Sequence, residues 1–166
     1  MKNIIFIGMP ASGKSTVGVV VAKRLGYDFI DTDLLIQKQE NRLLKEIIAD
    51  VGNEGFLAIE NQVNREVEAE HAVISPGGSV IYCKEAMEHF KEIGTVVYLQ
   101  VSFETIDARI SCAKNRGVVL KEGQTLHDLY EERTPLYERY ADIRISEERM
   151  NVEQTVEKLM EALELI

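Results

Sequence analysis

The segment Gly8-Met9-Pro10-Ala11-Ser12-Gly13-Lys14-Ser15 constrains this chain more than any other. It follows the apolar run NIIFI (3–7) and precedes a stretch of helical period over 14–25. The pattern G-x-x-x-x-G-K-[ST] between a strand and a helix builds a loop that wraps phosphate oxygens. Gly8 and Gly13 let the backbone turn, so that amide N–H groups and the positive end of the helix face an anion. Lys14 is expected to place its ammonium between the β- and γ-phosphates, and the Ser15 hydroxyl to ligate Mg²⁺. A chance loop-to-helix junction would leave the matched strand and helix unexplained. The chain should therefore bind a nucleoside triphosphate with magnesium.

The rest of the sequence repeats this alternation. YDFID (27–31), AVIS (72–75), TVVYLQV (95–101) and a short run at 143–145 read as further strands. Helical segments are expected at 34–39, 43–51, 55–68, 84–91, 103–112, 125–140 (interrupted by Pro135) and 152–163. Strands that are apolar throughout, separated by helices, imply a parallel sheet covered on both faces. The expected fold is a three-layer α/β/α domain with about five strands. With no repeat, linker or low-complexity tract, residues 1–166 are expected to form one domain, with a mobile lid at about 113–124.

Composition narrows the partners. Lys and Arg number 19 against 28 Asp and Glu, a formal charge of −9, which speaks against a nucleic-acid backbone as the main partner. It leaves room for a nucleotide held by a local site. Cys83 and Cys112 match no zinc spacing and read as reduced thiols of a cytoplasmic protein. The first apolar run is too short for a signal peptide, and no stretch approaches the ~18 apolar residues of a membrane span. His71, His89 and His127 show no ligand spacing.

Asp31-Thr32-Asp33 ends the second strand, on the same sheet edge as the phosphate loop. One carboxylate there can face Mg²⁺ while the other accepts the proton of a nucleophilic hydroxyl. An N-cap on the following helix is the competing account, and it explains one acid better than two.

Taken together, GMPASGKSTVG, GYDFIDTD, LLKEIIADVGNEGF with Glu60 just beyond, SPGGSV, NRGVV and ERTPLYERYAD run in order along most of the chain. In these segments the sequence resembles the shikimate kinases, small members of the P-loop nucleoside-monophosphate-kinase-like superfamily. The resemblance implies transfer of the γ-phosphoryl group of ATP to the 3-hydroxyl of shikimate, by a cytoplasmic monomer. Gly8, Ala11, Ser12, Gly13, Lys14, Ser15 and Thr16 would then hold the nucleotide, with Arg109 helping to frame the adenine. Asp31 would sit near Mg²⁺ through Ser15 and water. Asp33 would bind acceptor hydroxyls and act as the base. Gly77 and Gly78 would lay amides against the acceptor, and Arg133 would hold its carboxylate. Arg116 would swing over the phosphates from the lid, as mobile arginines do in phosphoryl transfer. With Lys14 and Asp33 it would make up the catalytic set.

Two positions depart from the family pattern. Leu57 stands where a second arginine clamps the acceptor carboxylate, and Ser79 replaces the third glycine of the Gly-Gly-Gly loop. Both lie on the acceptor side, so a different hydroxy acid, polyol or sugar acid is the alternative acceptor. Tyr137 and Tyr140 share a helical face and are expected to pack.

Overall fold

The computed structural model describes residues 2–112 and 122–164. Five strands form: β1 Asn3–Ile7, β2 Asp28–Asp31, β3 Ala72–Ser75, β4 Gly94–Gln100 and β5 Ile143–Ser146. They pair in parallel in the order β2-β3-β1-β4-β5. Central β1 is buried at every residue, which is why NIIFI carries no polar alternation. Edge strand β2 is only partly covered and tolerates Asp at both ends.

Seven helices accompany the sheet among the described residues: α1 Lys14–Leu25, α2 Thr32–Glu40, α3 Leu44–Arg65, α4 Lys84–Ile93, α5 Phe103–Cys112, α6 Leu126–Tyr140 and α7 Val152–Ala162. Successive side chains of a strand serve opposite faces. Ile4 and Phe6 pack with Val17 and Val21 of α1 and Val156 and Leu159 of α7. Ile5 and Ile7 belong to the other core, with Met87 and Phe90 of α4, Ile106 of α5 and Tyr137 of α6. The result is the expected α/β/α sandwich. A separate small cluster of Ile36, Ile47, Phe56 and Val63 joins α2 to α3.

The break inside α3 falls where the sequence places it, and two other details, in α6 and after β3, differ from the sequence reading. The helices expected at 43–51 and 55–68 do form, and they follow each other directly as α3 with a non-helical break at Gly52, φ 74° and ψ 177°. That left-handed φ is open to glycine at little cost, so the chain turns there without a loop. Pro135 sits inside α6 without ending it, and Thr134 Oγ1 donates to the Tyr130 carbonyl at 2.7 Å in the same turn. A 3-10 helix, Gly78–Tyr82, follows β3 where only a stop was foreseen. Most of the expected lid, 113–121 with Arg116, lies outside the described residues.

Candidate active site

The carboxyl ends of the strands open onto a cleft of about 470 Å³, lined by the phosphate loop, Asp31, Asp33, Glu60, Gly77, Gly78, Arg109 and Arg133 among others. This is the edge at which open α/β sheets collect ligands.

The phosphate loop leaves β1 through Gly8, φ 154°, and enters α1 through Gly13, φ 94°. A side chain at Gly8 would press on the Leu99 carbonyl and Ser12 Oγ, each 3.0 Å from the added carbon. Ala11 is also left-handed, φ 65°, an unusual state for a residue with a Cβ and one found at ligand loops. Gly13 caps α1 without any side-chain acceptor, so the first amides of the helix are left to a ligand. Lys14 is buried, and its ammonium donates to the Gly8 and Met9 carbonyls at 2.8 and 2.9 Å. Ser15 Oγ stands 3.5 Å from Ser75 Oγ, at the end of β3. Ala11, Ser12 and Thr16 line the same cleft.

At the end of β2 the two acids part. Asp31 Oδ1 accepts the Asp33 and Leu34 amides at 2.9 and 3.3 Å, capping α2. Asp33 sits in the first turn beyond and reaches across to β3, where a Cβ built on Gly77 would stand 2.8 Å from its Oδ1. Capping thus accounts for Asp31, and Asp33 is the acid aimed across the cleft.

The end of the cleft beside the Gly77-Gly78 turn is built around Arg133, 1% exposed although charged. Its guanidinium lies over the Tyr82 ring, 5.4 Å from the centroid, and Nη1 would be 3.0 Å from a Cβ on Gly78. Tyr137 packs as expected, stacked on Tyr98, and its hydroxyl also donates to the Gly78 carbonyl at 2.6 Å. The Gly77-Gly78 turn is therefore fastened to α6, and α6 carries Arg133. Leu57 packs on the main core cluster and does not line the cleft. Ser79 lines the cleft and donates its hydroxyl to Glu60 Oε1 at 2.5 Å.

Two acids of the cleft escaped the sequence reading as site residues. Glu60 is fully buried, and burial pushes its carboxyl up to about 7; the Ser79 hydrogen bond opposes this, Asp33 adds to it, and Arg133 and Lys14 work against it. Its signal was a carboxylate on the apolar stripe of Phe56 and Val63. Glu147, just past β5, approaches Arg109 Nη2 at 3.7 Å, and burial raises its carboxyl against the pull of that guanidinium. Arg109 also donates to the Ala11 carbonyl at 2.9 Å, which ties α5 to the phosphate loop. Nothing local in the sequence joins these partners.

The family profile described as shikimate kinase matches residues 10–164. The chain belongs to the shikimate kinase family. Named shikimate kinases similar to it include that of Persephonella marina, 35% identical over 161 residues, covering 96% of this chain and 98% of that protein. The shikimate kinase of Clostridium botulinum strain 657 is 40% identical over 144 residues, 84% of each chain. Among solved structures, shikimate kinase from Acinetobacter baumannii in complex with shikimate superposes with a TM-score of 0.90 at 30% identity, over 98% of this chain and 93% of that one. A gluconokinase from Sinorhizobium meliloti, TM-score 0.53 at 17% identity, shares the fold alone. Like its family, this shikimate kinase relative is an ATP-dependent phosphotransferase.

Proposed function

We propose that this chain moves the γ-phosphoryl group of ATP to the 3-hydroxyl of shikimate, with the residues of this cleft in the following roles. The loop N–H groups from Gly8 to Thr16, Pro10 having none, and the Lys14 ammonium bind the phosphates and offset charge on the group in transit. Asp33 accepts the proton of the attacking hydroxyl, whose oxygen bonds to phosphorus as the bridging oxygen leaves with ADP. Arg133 pairs with the acceptor carboxylate, and the Gly77 and Gly78 backbone forms the wall beside it. Arg109 frames the base, and Arg116 is assigned to the phosphates from the lid.

Among the described residues no group of three His, Cys, Asp or Glu is placed to hold a metal. Mg²⁺ suits this donor set nonetheless, because it is held by one or two protein oxygens together with substrate phosphates and water. Ser15 would ligate it and Asp31 would approach it through water; when bound, it would neutralise phosphate charge. The carrying observation is the pairing of Asp33 with buried Arg133 across one glycine turn, which matches a hydroxyl and a carboxylate on one small acceptor.

The same reading takes the chain as a monomer built as a single domain. No helix among the described residues is long and apolar enough to cross a membrane, and Cys83 and Cys112 are unpaired, which supports a cytoplasmic setting. An ATP-consumption screen over shikimate, other hydroxy acids, sugars and nucleoside monophosphates tests the reading. Shikimate should be the best acceptor, and a better turnover with any other compound would overturn it.

A further inference from the structure

Glu60 is a buried carboxylate that the roles above leave without a task. Its Oε1 accepts from Ser79 Oγ at 2.5 Å, with Cys83 Sγ 4.0 Å away. Its Oε2 is buried and takes no hydrogen bond from the described residues. That oxygen lies on the cleft wall, where a Cβ on Gly77 would be 3.0 Å from it and 2.8 Å from Asp33 Oδ1. A buried carboxylate oxygen without a donor is costly unless a ligand brings one. A polyol acceptor does so, since a hydroxyl next to the one that Asp33 takes would meet Oε2.

The two departures from the family pattern converge on this group. Position 57 precedes Glu60 by three residues on α3, and side chains at that spacing are neighbours. An arginine there would give Glu60 a cation; Leu57 gives none, and the Ser79 hydroxyl supplies a donor from the opposite side. We infer that Ser79 is a positioning residue for acceptor recognition, holding Glu60 so that Oε2 accepts a hydrogen bond from an acceptor hydroxyl beside the one bound by Asp33. The inference rests on the reading of this cleft as the acceptor site.

The charged and titratable groups facing Glu60 are Lys14 of α1, Asp33 of α2, Arg133 of α6 and Cys83 ahead of α4. Burial drives the Cys83 thiol far above its usual range, so it stays neutral. Glu60 itself ionises at about 7, and loss of the Ser79 hydrogen bond, which favours the charged form, must move that ionisation upward.

Calorimetric titration of shikimate into the whole protein, without nucleotide, from about pH 5.5 to about pH 9 reads this directly. In the wild type, affinity should rise with pH through about 7. Ser79→Ala should move the step up by about one pH unit and weaken binding about threefold at pH ~7.5. Glu60→Gln should abolish the step, and adding Ser79→Ala to it should change nothing further. Melting curves identify any variant that fails to fold, and the two single variants give independent readings. An unmoved step in folded Ser79→Ala overturns the inference, as does an equal loss in the Glu60→Gln background. If the wild type neither binds nor phosphorylates shikimate, the acceptor reading itself fails and takes this inference with it. A wild type active on shikimate with a flat pH profile refutes the inference alone.

Discussion

The ammonium of Lys14 lies under the phosphate loop, bonded to the Gly8 and Met9 carbonyls, so one side chain both charges the loop and holds its shape. Its removal carries a stability cost, because two carbonyls of a glycine-bearing turn lose their donor. Lys14→Ala is expected to lower kcat by at least about 10²–10³-fold and to cost about 1–3 kcal/mol of stability. Turnover of the purified variant beside its melting curve checks both, and near wild-type turnover would sink the assignment. Asp33 is a cleaner case, since the hydrogen bonds that cap α2 fall on Asp31. Asp33→Asn keeps the shape and removes the base, so single-turnover transfer should fall by about 10²–10⁴-fold while ATP affinity stays near its original value. Loss of ATP affinity with an unchanged single-turnover rate would move Asp33 to the metal side instead.

Among the elements, α3 decides the acceptor end, because it carries Leu57 and Glu60 one turn apart beyond the bend at Gly52. Leu57→Arg is expected to tighten shikimate binding up to about tenfold, by adding a charge-assisted contact. The same change in the Ser79→Ala background should restore affinity, since a guanidinium three residues from Glu60 favours its ionised form. The melting temperature should drop, because Leu57 packs on the core and its burial is lost. Titrations of both pairs decide this, and no gain in either background would show that Arg133 alone suffices. The strands of the sheet were legible because their runs are apolar on both faces, and the phosphate loop because its spacing is local. The break inside α3 is legible too, because Gly52 interrupts the helical period between 43–51 and 55–68. Pro135 marks an interruption by residue type alone, yet α6 runs through it. The Ser79–Glu60 and Arg109–Glu147 contacts join residues 19 and 38 positions apart, and no periodicity reports them.

For the molecule as a whole, the strand ends gather Lys14, Asp33, Glu60 and Arg133 into one cleft, and the fold must bear the cost of burying those charges. Glu60 bears on the pH dependence of folding. Its ordinary carboxyl value is 4.5, and in the folded chain burial raises it to about 7. Between those values the folded state binds more protons than the unfolded one, so stability must fall as pH rises. The contribution is present below about pH 4.5 and is lost by the time pH passes about 7. The full window corresponds to about 3 kcal/mol for this buried group, or very roughly 6–12 °C in melting temperature for a chain of this size. Other carboxylates titrate over part of the same range, so the decisive quantity is a difference between variants. Glu60→Gln stays neutral at every pH, and its gain in melting temperature over the wild type should grow from pH ~5 to pH ~8. Shikimate should shrink that gap at the higher pH, because a donor to Oε2 stabilises the charged carboxylate that the empty cleft leaves unpartnered. A gap that stays constant across pH would mean that Glu60 ionises at its ordinary value, with water entering the cleft floor to solvate it.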